Sequence, residues 1–113
     1  MSDDQAVERE IRAKGLTAPR ITPDHIEETI IGEYYFTAAE GARILPEDSP
    51  LHQLTFCVLE LANGFTVTGE SACASPENFD PELGRSIARR NAREKIWALE
   101  GYLLRQQLHE GSL

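Results

Sequence analysis

The sequence predicts an α+β fold in which a small antiparallel β-meander of three or four strands packs against a short N-terminal helix and a long C-terminal helix. The pair Asn63-Gly64 lies between two apolar runs and is the strongest short-range signal for a hairpin. Asp80-Pro81 is typical of a helix start, and a helical pattern follows it to about Gln107. The chain has 113 residues, of which 41% are apolar and 27% charged, so it fits one globular domain.

The chain before the first strand divides into an arm and a helix. Residues 1–21 are polar and charged, and we expect a mobile N-terminal arm, with or without a short helix, ahead of a single domain over residues 22–110. Thr22 can cap a helix and Pro23 suits its first position, so a short helix should begin there and end at Gly32. The apolar face of this helix would consist of Ile26, Ile30 and Ile31.

The strands are predicted from aromatic and β-branched residues. Residues 33–38, EYYFTA, form a strand, and residues 39–50, AEGARILPEDSP, form a loop. Residues 54–61 are apolar on both faces, as expected of a central strand. A type I′ turn at the Asn-Gly pair, with positive φ at both residues, would join this strand to the next. In that next strand Phe65 and Val67 would lie on the inner face of the sheet, and Thr66 and Thr68 on the other face.

The formal net charge of −8 argues against a protein that binds the nucleic acid backbone non-specifically. No apolar run reaches the roughly 20 residues of a membrane span, and the acidic start differs from a signal peptide. We therefore expect a cytosolic protein that binds neither DNA nor membranes. The basic residues nevertheless cluster within eleven positions, at Arg85, Arg89, Arg90, Arg93 and Lys95. Such a cluster forms either a pocket for an anionic small molecule or a solvated helix face with paired charges.

The sequence has no arrangement typical of an enzyme. Cys57 and Cys73 are far apart and are expected to be buried, reduced thiols. We find no Ser-His-Asp pattern, no glycine-rich phosphate loop and no base near Cys73 in sequence. The histidines are scattered, at His25, His52 and His109. We therefore predict no catalytic residue, no metal site and no cofactor.

The long C-terminal helix carries two polar residues, Asn91 and Lys95, within its apolar arc. The apolar members of that arc are Ile87, Ala88, Leu99 and Leu103. Because an unpaired ammonium is costly to bury, the two polar residues suggest a notch that faces a ligand or a second subunit. Alternatively, Lys95 lies along the sheet edge and Asn91 bonds a backbone group.

A second pattern on the same helix is the ladder Arg89, Arg93 and Trp97, spaced at four residues. Two guanidiniums followed by an indole can hold a phosphate and stack on a base. The same ladder also suits a dimer interface, where Trp and Arg are enriched. Phe36 and Phe65 are further candidates for stacking, or they belong to the core.

Three stretches of the chain resemble one family of small tailed-phage and prophage proteins of formerly unknown function. They are NGFTVTGESAC (63–73), SPENFD (75–80) and ARRNAREKIWALEGYLL (88–104), at matching spacing. The likeness covers roughly residues 25–108, without the first 24 residues and the loop around ARILPEDSP. This family is similar to, and is identified as including, the Thoeris anti-defence protein of the first type.

The resemblance implies a molecular sponge in the cytoplasm of an infected bacterium. Such proteins bind a cyclic ADP-ribose isomer made by a TIR-domain defence enzyme and hold it without degrading it. The resemblance also implies a homodimer or higher homo-oligomer, with cyclic oligonucleotide signals held at separate sites in some relatives. The ligand-binding residues would be Asn91, Lys95, Arg89, Arg93, Phe65, Phe36, Ser75 and Asn78. The interface residues would be Trp97, Tyr102 and Leu103.

Two other functions stay open at this point. The chain is alternatively a phage accessory protein that binds a host protein through the helix face of Trp97 and the arginines. A third hypothesis is a hydrolase that acts on the same signal. Recovery of intact ligand from the denatured protein separates a sponge from a hydrolase, and substitution of Asn91 and Lys95 separates a sponge from a protein binder.

Overall fold

The computed structural model describes residues 2–16, 18–43 and 46–112. It confirms the α+β fold, with a three-stranded antiparallel sheet, a short helix before it and a long helix after it. The elements in chain order are α1 (Ser2–Ala13), α2 (Pro23–Thr29), β1 (Ile30–Thr37), α3 (Ala38–Ala42), β2 (Leu54–Leu61), β3 (Thr66–Ala72) and α4 (Pro81–Glu110). Short 3₁₀ helices lie at Pro50–Gln53 and Pro76–Asn78. Within the described residues, no helix combines the length and apolarity needed to cross a membrane.

The sheet has the order β1-β2-β3, so β2 is the central strand as predicted. α4 covers one face of the sheet. The buried residues between helix and sheet are Cys57, Leu59, Leu61, Val67, Ala88, Ala92 and Ile96. The opposite face carries Tyr34, Phe36 and the exposed Thr66 and Thr68, which confirms the predicted alternation of Val67 with the threonines in β3. The prediction is wrong for Phe65, which lies in the loop before β3 and is exposed.

Close packing of α4 on the sheet depends on Gly69 in β3. A Cβ atom at this position would lie 2.3 Å from the backbone oxygen of Ala88 and 2.3 Å from the backbone nitrogen of Ala92. The helix therefore rests on the sheet through small residues and one larger one, at Gly84, Ala88, Ala92 and Ile96. Ala88 of the predicted apolar arc does face the sheet. The rest of the arc around Asn91, Lys95 and Leu99 is wrong, because those three side chains are exposed on a flank of the helix.

The caps of α2 and α4 follow the sequence. The Thr22 hydroxyl accepts a hydrogen bond from the backbone N–H of His25 at 3.1 Å. The Asp80 carboxylate accepts from the backbone N–H groups of Glu82 and Leu83 at 3.0 and 3.2 Å. α2 ends earlier than predicted, however, because Ile30 and Ile31 belong to β1. Ile30 pairs with Leu61 of β2, and Ile31 lies at an irregularity of the register.

Two connections differ from the predictions. Ala38, predicted as the end of the strand, and residues 39–42 of the predicted loop form the helix α3, since Thr37 and Glu40 make a reciprocal capping box. Positions 44 and 45 of that loop lie outside the described residues. The hairpin is confirmed but its turn is not type I′, because Gly64 has a φ of +91° while Asn63 has no positive φ. Leu61 and Phe65 close a longer loop through a 2.8 Å backbone bond.

The predicted N-terminal arm contains the 12-residue helix α1. Asp4 reaches the domain, where it bonds Arg93, while Glu8 bonds Arg20 within the arm itself. The mobility of the arm stays a prediction, and its positions 1 and 17 lie outside the described residues.

Candidate functional site

The two arginines of the predicted ladder are paired with carboxylates from other elements. Arg89 donates from Nη2 to Glu27 at 2.8 Å and from Nε to Glu33 at 3.2 Å. Arg93 donates from Nε to Glu27 at 2.5 Å and from Nη1 to Asp4 at 2.7 Å. We call these five residues the arginine cluster. The two positive charges face three carboxylates, so neither arginine is freely available to a phosphate in this conformation.

The electrostatics of the arginine cluster follow from these bonds. The hydrogen bond from Arg89 lowers the pKa of Glu27, and the bond from Arg93 adds to this, although burial opposes both. Arg93 is only 7% exposed. Burial works against its charge, but the bonds to Asp4 and Glu27 outweigh burial and raise the pKa of Arg93. Both arginines therefore stay charged, and Glu27 is a fixed anion between them.

Trp97 lies on the same side of α4 and packs, half-buried, against the hydrophobic core. The helix side that looked charged in sequence is thus a packed side, turned toward α2 and α1. The other two predicted interface residues are open: Tyr102 is 75% exposed and Leu103 46%. They lie near the end of α4, which at about 45 Å is longer than the roughly 27 Å of an eight-residue strand.

Asn91 and Lys95 lie on the opposite flank of α4, beside β3. The Asn91 Nδ2 donates to the backbone carbonyl of Glu70 at 2.9 Å, as in the backbone alternative considered above. Lys95 is exposed and forms no ion pair within the described part of the chain. Leu99 and Leu103 continue this line at four-residue spacing toward the end of the helix. We call these four residues the open flank.

The remaining predicted ligand residues are not brought together. Phe36 stacks on Phe56 on the uncovered face of the sheet, with ring centroids 5.6 Å apart. Ser75 and Asn78 lie at the 3₁₀ helix before α4. Phe65 lies at the opposite end of the sheet, in the hairpin loop, and is 56% exposed.

Phe65 lines a groove of about 480 Å³ between the end of α2, the β2–β3 hairpin and the open flank. Its apolar wall consists of Leu61, Ala62, Phe65, Leu99 and Leu103, and its polar rim of His25, Glu28, Thr29, Asn63 and Glu100. On this rim His25 Nε2 lies 2.6 Å from Glu100 Oε1. The groove thus offers a large apolar surface with a few oriented polar groups, which is the usual composition of a small-molecule site.

Most residues of this groove escaped the sequence analysis. Asn63 was interpreted only as a turn residue, Leu99 as core, and His25 as scattered. A usable signal was the position of Phe65 directly after the Asn-Gly pair, since a large apolar side chain at a hairpin end has few ways to be buried. The acidic partners of Arg89 and Arg93 were also missed, because they come from α1, α2 and β1, far away in sequence.

The two cysteines are free thiols, with Cys57 buried in the core and Cys73 half-buried. Burial raises the pKa of the Cys57 thiol, so it stays protonated near neutral pH. Within residues 2–16, 18–43 and 46–112, no three His, Cys, Asp or Glu side chains are grouped as metal ligands would be.

A family model described as "Phage protein (N4 Gp49/phage Sf6 gene 66) family" matches residues 21–108. The chain belongs to this family. The match begins slightly earlier than the likeness described above and runs across the loop that we had left out, while α1 lies outside it. Comparisons with curated proteins and with solved structures gave no match.

Proposed function

We propose that this phage-family protein is an anti-defence protein that binds a cyclic nucleotide immune signal and sequesters it without cleaving it. The signal would be a cyclic ADP-ribose isomer or a cyclic oligonucleotide. Membership of a phage protein family supports the phage role, and the resemblance to the Thoeris anti-defence protein supports the ligand class. The observation that carries the proposal is the apolar groove beside Phe65.

The groove has the chemistry to hold a nucleobase and a ribose. Its volume of about 480 Å³ lies within the range of ordinary small-molecule sites. The ring of Phe65 offers a face for stacking on a base, opposite the aliphatic wall of Leu99 and Leu103. Asn63 and Thr29 can exchange hydrogen bonds with base edges, and the carboxylates of the rim can accept from ribose hydroxyls.

The phosphates of such a ligand need a cation, and the open flank supplies one. Lys95 lies one helical turn, about 6 Å, from Leu99 on the same side of α4. Glu28 and Glu100 on the rim would repel phosphates placed next to them. The ligand would therefore lie with its base toward the hairpin and its phosphates toward Lys95.

A second copy of the chain would complete the site. The groove is open to solvent, and next to it Tyr102 and Leu103 expose apolar surface at the end of α4. We propose a homodimer or higher homo-oligomer that buries this end of α4 and encloses the groove. Enclosure slows release, which a protein that acts by stoichiometric capture requires.

The experiment is a thermal-melt screen with cyclic ADP-ribose isomers and cyclic di- and trinucleotides. A ligand at 100 times its dissociation constant should stabilise the protein by roughly 2.7 kcal/mol, or several degrees in the melting temperature. Phe65→Ala should remove most of that shift. Phe36→Ala, which truncates an exposed phenylalanine outside the groove, should keep it.

Two results would refute the proposal: no shift with any of these ligands, or the same loss in both phenylalanine variants. Chromatography of the ligand released by denaturation provides the second test. Intact signal is expected, whereas a cleaved product would point to hydrolysis.

A further inference from the structure

The inner face of α1 is acidic rather than apolar. Asp4 and Glu8 lie one turn apart and are turned toward the domain, and Glu8 is only 5% exposed. Val7, by contrast, is 55% exposed, and Ile11 is the only half-buried apolar residue of the helix among those described. Helices usually attach to a domain through an apolar stripe. α1 attaches mainly through carboxylates.

Two ion pairs hold α1 to the rest of the chain. Asp4 accepts a hydrogen bond from Arg93 at 2.7 Å, and Glu8 accepts one from Arg20 at 2.9 Å. Each pair joins a nearly buried side chain to a partner that is 24% exposed, so solvent and salt reach one side of each pair. An isolated helix of 12 residues is also marginal in water. Contacts of this kind give a helix that opens at low free-energy cost.

A pocket of about 320 Å³ lies where Asp4 meets α4. Its lining residues are Asp4, Gln5, Glu27, Ser86, Arg89, Arg90 and Arg93. Arg90 is exposed and forms no ion pair with any residue described here. Without Asp4, Arg93 would lose one of its two carboxylate partners and would leave a free donor in the pocket that Arg90 and Ser86 also line. Guanidiniums beside a hydroxyl are suited to phosphate oxygens.

We propose that this pocket is an anion site for a pyrophosphate-bearing molecule and that α1 is its built-in competitor. In the structure the Asp4 carboxylate occupies the position of the anion on Arg93. A phosphate-bearing ligand and α1 therefore exclude each other, and binding of one releases the other. The helix that carries Asp4 lies outside the residues that the family model matches.

This site is separate from the groove proposed to hold the nucleotide. Arg89 and Leu99 are ten residues apart on α4, about 15 Å along the helix axis. The anion site does not depend on the proposed function and can be tested with inorganic pyrophosphate alone.

Isothermal titration calorimetry of the full chain with inorganic pyrophosphate tests the proposal. Asp4→Asn removes the competing charge and should tighten pyrophosphate binding about tenfold, because the state in which α1 has left the pocket becomes the major one. Asp3→Asn makes the same change in net charge at the neighbouring, exposed position of α1 and should leave the affinity as in the unchanged chain. Arg90→Gln in the Asp4→Asn background should abolish the gain, and since Arg90 is exposed the fold should be unaffected.

Displacement of α1 has its own readout. Pyrophosphate should speed amide hydrogen exchange in residues 2–13 of the full chain and leave exchange in β2 unchanged. Equal pyrophosphate affinities of the Asp4→Asn and Asp3→Asn variants would show that Asp4 does not compete with the anion. Pyrophosphate binding without faster amide exchange in α1 would show that the anion does not displace the helix. Phe65→Ala should leave pyrophosphate binding intact, so failure of the groove proposal and failure of this one are distinguishable.

Discussion

The two flanks of α4 make opposite use of positive charge. On one flank Arg89 and Arg93 are enclosed by carboxylates from three other elements, and Arg93 is almost fully buried. On the other flank Lys95 is exposed and lies one helical turn before Leu99, which lines the open apolar groove. The first flank fixes where α2 and α1 lie against the helix. The second is available to a ligand or a partner.

This contrast shows that a cationic side chain is informative about binding only together with its partners. An arginine ladder spaced at four residues looks like a phosphate site in isolation. Here its donors are already satisfied, so a phosphate would have to displace a carboxylate. An exposed lysine next to apolar surface can bind a phosphate without displacing a carboxylate, and it can be substituted without breaking the fold.

The distance between α4 and the sheet determines where both flanks of the helix lie. A substitution that pushes α4 away from the sheet should therefore have the largest effect on stability. Gly69→Ala would place a Cβ atom 2.3 Å from the backbone of Ala88 and Ala92, which cannot move aside. We expect the free energy of unfolding to fall by about 3 kcal/mol. Urea denaturation followed by circular dichroism measures it.

The matched control is the same change on the distal, exposed part of α4. Nothing lies within 4 Å of a Cβ at Gly101, so Gly101→Ala should raise the free energy of unfolding by about 0.5–1 kcal/mol. Similar values for the two substitutions would contradict the close contact at Gly69.

Removing one cation from each flank compares how much each flank contributes to the free energy of unfolding. Arg93→Met strips Glu27 and Asp4 of a buried donor and should destabilise the protein by about 2 kcal/mol. Lys95→Met, two residues further along the helix, should change stability by less than about 0.5 kcal/mol because the side chain is exposed. Both are read from urea midpoints at one ionic strength. An equal cost at both positions would show that the flanks do not differ.

The smallest effect we expect is in the pH dependence of the arginine flank. The pKa of Glu27 is lowered below its usual 4.5 by Arg89 and Arg93. The stabilisation from this carboxylate is therefore present above pH 4.5 and is lost as the pH falls through the lower, folded-state pKa. Between pH 5 and pH 3 the urea midpoint should fall more steeply for the unchanged chain than for Glu27→Gln. Parallel curves would show that Glu27 is not held by the arginines.

Local features of the fold were predictable where neighbouring residues decide them. The caps at Thr22 and Asp80, the central position of β2 and the hairpin at Asn63-Gly64 all depend on short-range chemistry. The turn type was wrong because one positive φ, at Gly64, suffices in a longer loop. The helix assigned to Ile30 and Ile31 was wrong because pairing with β2 overrides a helical pattern in a short segment.

The sequence by itself determined the fold class, the family and the concentration of positive charge on one helix. It did not determine which way that helix faces, because hydrophobic patterning gives little weight to Gly84, Ala88 and Ala92. Those small residues face the sheet only because Gly69, in another strand, lets two backbones touch. The partners of Arg93 and the groove beside Phe65 likewise arise from segments far apart in the chain, and long-range packing alone brings their charges and apolar surfaces together.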